Sequence, residues 1–390
     1  MTHEISIGKG ERIRSLDVMR GITIVGMIVF NTWSGFHYEP LIHASWLGLT
    51  LADMAFPFFV FIMGITTYLS LNKYGFALNG RTVRKILTRT VGIILVCWAF
   101  DWLGGFLFGF FGGGDGPLWE RFLSAADQFD HLRYTGVLVR LGLCYGICAL
   151  LALVVSHKRF PWIIVALLVG YFIILLCGNG FEKIPENILG IVDRGLIGES
   201  HMCNDGGIDP EGVLSTIPSI AHCMLGFWVG YRLFGNKEKP STPADKSFFL
   251  LLFGAALLIA GYFVSFVCPL SKKIWSPSFV MVTCGFGALL LGLLVYFIDV
   301  KKRSNGFGMH IFGANPLFLY LLSEGILWPL ELIKVNVGGE SMDVWGVVFW
   351  KVLEPVFGTY GGDLAFAFLN VLFCWTVGYI LYRKKIFIKL

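Results

Sequence analysis

Charge is what this chain has least of. Only 15% of its residues are Asp, Glu, Lys or Arg, where soluble domains carry about 25%. Of its 390 residues 56% are hydrophobic, and the mean hydropathy is +0.71. Apolar segments run along the whole length, so there is no room for a separate soluble domain of ordinary size. Fixed-period repeats and low-complexity tracts are absent too, and one membrane domain over 1–390 is expected. Zinc-ligand spacing is missing: no Cys-x-x-Cys and no suitably placed His partner accompany the nine cysteines, so no metal site is implied. Most of these thiols lie in apolar runs as small core hydrophobes, with Cys144 and Cys148 on one helix face. Cys203 and Cys268 sit in or beside loops expected outside, which leaves a disulfide between them open. The polar stretch Met1–Ser15 has no apolar core followed by a small-residue cleavage site, so the first apolar run reads as a signal anchor. A net charge of +5 implies no nucleic-acid partner, because the basic residues cluster in short loops, as membrane insertion requires.

What is present is a series of long apolar runs. Taking runs of about 20 residues as spanning helices gives ten, near 16–36, 46–71, 86–110, 137–156, 160–178, 214–234, 247–268, 279–299, 310–329 and 364–382. The expected fold class is all-α, a polytopic membrane helix bundle in contact with lipid. Arg12 and Arg14, Arg81 to Arg89, Lys158 and Arg159, Arg232 to Lys239, Lys301 to Arg303, and Arg383 to Lys385 then fall on one side. The positive-inside rule makes that side the cytoplasm, with both termini facing it, in a cytoplasmic (inner) membrane. The other side carries the longer loops 37–45, 111–136, 179–213, 269–278 and 330–363. The third of these holds seven acidic residues, Glu182 to Glu211. The apolar segment 344–357 is too short to span and reads as a re-entrant or interfacial helix.

Ionisable groups set into such runs are costly and therefore mark candidate sites. His43 stands at the mouth of a run that also contains Trp46, Thr50, Asp53 and Pro57. On a helix, positions 46, 47, 50 and 53 share one broad sector, which would aim Thr50 and Asp53 at a common cavity. Asn31 lies about 20 Å above Asp17 along the first span, in the same layer as His43. The functional reading is a proton-handling imidazole at His43, oriented by Asp53, with the Asn31 amide positioning a carbonyl or nucleophile. The alternative is that His43 caps a helix or sits in the interfacial belt beside Trp46. At the opposite end, Arg20 can pair with Asp17 at i, i+3. It can also join Arg84 and Arg89 in clamping a phosphate-rich cofactor. Arg140, inside the fourth span, could pair with Asp53 or Asp101 or hold an anion. His201 is a pocket candidate, Ser215 a candidate helix cap, and Asn315-Pro316 breaks the ninth span in the way that lines cavities.

These residues carry a family resemblance. Arg12-Ile-Arg-Ser-Leu-Asp17-Val-Met-Arg20-Gly21 with Asn31, His43 to Asp53, and Phe56-Pro57 to Gly64 resemble the heparan-α-glucosaminide N-acetyltransferase family. So do Gly136 to Arg140, Val192-Asp193-Arg194, Asp209 to Pro218, Gly313 to Pro316 and Leu381 to Leu390. The resemblance spans nearly the whole chain. Lysosomal members carry an extra N-terminal luminal domain and helix with no counterpart in these residues, and relatives often have Gln where Val139 stands. The resemblance implies acetyl-CoA as cosubstrate, with Arg20, Arg84, Arg89 and Asn315 toward it. It implies a terminal glucosamine amine as acceptor, as in heparan sulfate, and Trp46, Thr50, Arg140 and His201 are the candidates for contact with that sugar. His43 matches the family's catalytic histidine, as general base or transient acetyl carrier, and Asn31 matches an active-site asparagine. O-acetylation of a cell-envelope glycan and sugar or ion transport are the alternatives, and a homodimer is left open.

Overall fold

The computed structural model describes residues 13–32, 38–112, 116–235, 240–303 and 306–388. Its helices run α1 (Arg14–Asn31), α2 (Ala55–Asn72), α3 (Gly80–Gly112), α4 (Leu118–Ala126), α5 (Val137–Val154), α6 (Phe160–Cys177), α7 (Ile188–Ile197) and α8 (Thr216–Phe234). There follow α9 (Pro243–Ser265), α10 (Pro277–Leu294), α11 (Met309–Ala314), α12 (Pro316–Gly325) and α13 (Leu327–Leu332). A short antiparallel hairpin, β1 (Lys334–Val337) and β2 (Glu340–Asp343), precedes α14 (Val344–Val347) and α15 (Glu354–Arg383). The hairpin is a small addition to an otherwise helical architecture. Arg12, Lys237 and Lys239 lie outside the described residues.

Local chemistry sets many of the helix starts. Thr242 and Asp245 form a reciprocal capping box for α9, with Pro243 in its first turn. Ser276 caps α10 ahead of Pro277, and the Asn187 side chain accepts from Leu189 N at 2.9 Å to open α7. Ser215 stands at the cap position of α8, but its side chain makes no capping bond.

Among the described residues, seven helical segments are long and apolar enough to cross a membrane, which makes this a multi-pass membrane protein. Two further expected spans, α1 and α8, are of similar length but carry polar groups along them, Arg14, Asp17 and Arg20 on one and Ser219, His222 and Arg232 on the other. The remaining one is broken at Asn315, as expected, into α11 and α12. Val344 to Leu353 is helical, partly as a π-helix, and runs into α15 with a kink at Gly358, whose φ of +69° suits a residue without Cβ. The kink at Gly358 divides this run into the short helix expected at 344–357 and a final helix that contains the span expected at 364–382.

The outer helices α3, α6 and α9 leave large apolar side chains uncovered, including Val91, Leu95, Val165, Ile173, Leu252 and Ile259. Lipid is the solvent such surfaces need. Inside them, α1, α2, α5, α8 and α10 bury a core around Met19, Ile24, Phe61 and Phe227. Small residues let these inner helices touch. A Cβ on Gly64 of α2 would come within 2.1 Å of the Cys223 carbonyl oxygen, and one on Gly226 of α8 within 2.1 Å of that of Phe61. This reciprocal pair brings two backbones into contact.

Candidate functional site

One expected boundary is wrong, and the reason builds the site. The second span was expected from residue 46, but residues 42–51 form an irregular loop, and α2 begins at Ala55. The cause is the carboxylate of Asp53, which sits in a single 3₁₀ turn and is wholly buried. Its Oδ2 accepts from the backbone N–H of Ala44 at 3.1 Å and of Thr50 at 3.2 Å, and from the Thr50 hydroxyl at 3.0 Å. The loop folds around this anion instead of forming helix, which supplies the partners a buried carboxylate requires. Thr50 and Asp53 therefore do meet, but through an Asp-centred loop, not a shared helical sector. Further clips fix the loop: Gly48 N donates to the Leu270 carbonyl at 2.7 Å and Ser271 Oγ to that of Trp46 at 2.5 Å.

Asp53 Oδ1 lies 2.8 Å from His43 Nδ1. An N–H at Nδ1 donating to this carboxylate leaves Nε2 with its lone pair, the tautomer a base requires. The imidazole is 34% exposed and forms part of the wall of a cavity of about 200 Å³. Asn31, Phe56, Val137, Glu211, Lys272 and Tyr320 also contribute to that wall. Asn31 Nδ2 donates to Glu324 Oε1 on α12 at 3.0 Å, joining the ends of two expected spans. Glu211 is held by Arg133 at 2.7 Å, and the same guanidinium bonds Asp209 Oδ1 at 2.6 Å. Burial opposes ionisation of Asp209, but Arg133 and the Thr135 hydroxyl outweigh it and hold the carboxyl below its ordinary value. Lys272 stands 3.1 Å from His43 Nε2 and 4.0 Å from Asp53 Oδ1. Its burial makes the ammonium easier to deprotonate, although Asp53 and Glu211 pull the other way.

Trp46, Arg140 and His201 do not line this cavity. The indole of Trp46 donates to the Phe181 carbonyl at 2.7 Å, and His201 Nδ1 bonds the Leu132 carbonyl at 2.8 Å while its ring stacks on Tyr134. Arg140 pairs with neither Asp53 nor Asp101. It bonds the Gly212 carbonyl and the Ser215 hydroxyl, lies over the Trp275 ring, and keeps Nε and Nη1 without a partner among the described residues. No two of the nine cysteines are bonded to one another.

A second cavity, of about 400 Å³, gathers Arg20, Lys85 and Arg89 with Thr66 and Ser70. Arg20 pairs with Asp17 at 2.9 Å and reaches the Gly313 carbonyl at 3.4 Å, so the expected ion pair is present and the guanidinium still lines the cavity. Arg89 lies over the Tyr145 ring. Asn315 fastens the C-terminal strand of chain that closes this cavity, donating to the Ile386 carbonyl at 3.0 Å and accepting from Ile388 N at 2.7 Å. Arg84 is exposed and forms no part of the wall.

The two cavities share their helices. Ala55 and Phe56 of α2 face the first, and Phe59, Met63, Thr66 and Ser70, on the same helical stripe, face the second. Val137 and Leu141 of α5, Tyr320 and Leu317 of α12, and Asn31 and Arg20 of α1 divide in the same way. From Arg20 to Asn31 the rise along α1 is about 16 Å.

Sequence reasoning missed Lys272, Glu324 and the positioning role of Arg133. Two of these left a signal. Lys272 and Lys273 are lysines in a loop placed on the side where the charge rule disfavours them, and Glu324 is a carboxylate within an expected span.

No protein-family model matches the chain. Over 97% of its length it is 28% identical to the heparan-alpha-glucosaminide N-acetyltransferase of Homo sapiens. Over the same share it is 26% identical to the Mus musculus protein of that name. The chain is thus similar in sequence to these two enzymes along nearly its whole length. It spans 60% of the length of each of these relatives. The aligned stretch takes in nearly all of the present chain, and with it the helices that line both cavities.

Proposed function

We propose that this protein is a transmembrane acetyltransferase. It carries an acetyl group from acetyl-CoA to the amino group of a terminal glucosamine-type sugar on the opposite face of the membrane. The observation that carries this reading is the shared wall: the cavity beside the His43–Asp53 pair and the cavity that gathers three cations are both lined by α1, α2, α5 and α12. The relatives' name, which specifies N-acetyl transfer to a heparan α-glucosaminide, supports the same chemistry.

Arg20, Lys85 and Arg89 fit the phosphates of a nucleotide thioester, since guanidinium and ammonium groups recognise phosphate by charge and by multiple N–H donors. The flexible arm that joins the nucleotide to the acetyl thioester would have to run along α2 from the second cavity to the first. At the other end, His43 Nε2 removes a proton from the acceptor amine as the nitrogen attacks the thioester carbonyl. His43 then returns that proton to the departing thiolate. Glu211 in the cavity wall, held by Arg133, can accept an N–H of a neutral acceptor amine. The basic loops would put the Arg20 end in the cytoplasm and His43 outside.

The test is transfer of labelled acetyl from acetyl-CoA to glucosamine by the purified protein and by its His43→Ala variant. Loss of a general base lowers the rate by about 10²–10⁴-fold. Transfer by the variant at the wild-type rate would overturn the assignment. Label retained on wild-type protein when no acceptor is added would make His43 an acetyl carrier instead.

A further inference from the structure

The cation nearest the proposed reaction centre belongs to a loop that the acetyl-transfer reading does not use. Lys272 lies between α9 and α10, its side chain 16% exposed. Its Nζ is 3.1 Å from His43 Nε2 and 3.3 Å from Nδ1. The neighbouring anion does not neutralise it directly. Both oxygens of Asp53 are already engaged, Oδ1 with His43 and Oδ2 with Ala44 and Thr50, and Lys272 stands off at 4.0 Å. Of the other donors in the cavity wall, Lys273 pairs with Asp205 and the Asn31 amide donates to Glu324, and the Tyr320 hydroxyl is neutral, which leaves Lys272 as the cation beside the imidazole. Nζ is nearly equidistant from the two ring nitrogens, which places it over the ring face, so the in-plane lone pair of Nε2 stays open and the three N–H donors of the ammonium can turn to the cavity. The loop is held in place, because Ser271 bonds the Trp46 carbonyl and Leu270 receives Gly48 N.

Resting on the acetyl-transfer reading, we propose that Lys272 is a catalytic residue whose ammonium stabilises the oxyanion formed when the acceptor amine attacks the thioester. In that step the new C–N bond forms while the carbonyl π pair moves onto oxygen, where the Lys272 N–H groups meet it. His43 Nε2 takes the amine proton. On collapse the oxygen pair returns, the C–S bond breaks, and the proton passes from His43 to sulfur. Lys272 keeps its own proton throughout. A cation 3.1 Å from the base is close enough to reach the oxygen on the carbon being attacked, where such stabilisation needs a donor about 2.7–3.1 Å from the oxyanion. The charged groups that face Lys272 are His43, Asp53, Glu211, Lys273 and Arg140.

The experiment compares wild type, Lys272→Met and Lys272→Arg for kcat and KM across pH, with labelled acetyl-CoA and glucosamine and with thermal unfolding as a check on folding. Lys272→Met is expected to lower kcat by about 10²–10³-fold while KM changes only a few-fold. Lys272→Arg recovers part of kcat, and its rate holds to higher pH than wild type, because the guanidinium stays charged where a buried ammonium is lost. Wild-type kcat in Lys272→Met overturns the proposal. If the Met variant does not fold, an alkaline limb in Lys272→Arg that coincides with wild type overturns it instead. Wild-type protein that transfers no acetyl at all overturns the acetyl-transfer reading itself, and this role with it, before either variant is measured.

Discussion

At the scale of single residues, the account turns on which nitrogen of His43 carries a proton. Asp53 decides this, being wholly buried and 2.8 Å from Nδ1. Asp53→Asn keeps the shape but presents an amide, whose N–H can face Nδ1 and leave the proton on Nε2. The expected result is a fall in kcat of about 10³–10⁴-fold, as when a triad carboxylate becomes an amide, without a comparable rise in KM. Full activity in that variant would remove Asp53 from the mechanism. His43, Asp53, Thr50 and Asn31 were legible in the sequence because each is a polar group in a run too apolar to tolerate it without reason. Arg20 and Arg89 were legible as charges at the far ends of spans. Trp46, His201 and Arg140 were not correctly placed. Their polar atoms are met by carbonyls and a hydroxyl from distant loops, at Phe181, Leu132, Gly212 and Ser215, and nothing local in the sequence announces such partners.

At the scale of elements, two arrangements hold the site. The first is the contact of α2 with α8 through Gly64 and Gly226. Gly64→Ala places a methyl against the backbone of Cys223, so α2 must shift. A destabilisation of about 1–3 kcal/mol or more is expected from overpacking, read as a lower unfolding temperature in detergent. An unchanged unfolding temperature would mean the helices separate without cost. The second is the loop before α8, where Asp193 of α7 accepts from Val213 N at 2.8 Å. Burial, only partly offset by the Val213 and Leu214 N–H groups, raises its carboxyl from 3.8 to about 6. A carboxyl raised on folding contributes stability that is full below its ordinary value and is lost as pH climbs to the folded one. Relative to Asp193→Asn, wild type should therefore be most stable near pH 4 and lose that advantage by about pH 6–7, the window set by this shift. A stability difference that does not vary with pH would contradict the burial argument. Helix positions were readable from apolar run length, and the break at Asn315 from its following proline. The start of α2 was not, since hydropathy cannot register that a loop has folded around one carboxylate. The short helix at 344–357 was readable as well, and the positive φ of Gly358 closes it.

At the scale of the whole molecule, two cavities divide four helices between them, with cations at one end and a base at the other. The proposed reaction needs both ends at once: a donor held by Arg20, Lys85 and Arg89, and an acceptor that meets His43 from the opposite side of the bilayer. Sidedness is thus the central claim, and it is open to direct measurement. The protein would be reconstituted in vesicles with the His43 loop facing outward. Labelled acetyl-CoA would be sealed inside or added outside, with glucosamine always outside. The account predicts labelled N-acetylglucosamine outside when acetyl-CoA is inside, and none in His43→Ala vesicles. Transfer at an equal rate when both substrates are confined to the His43 face would contradict it.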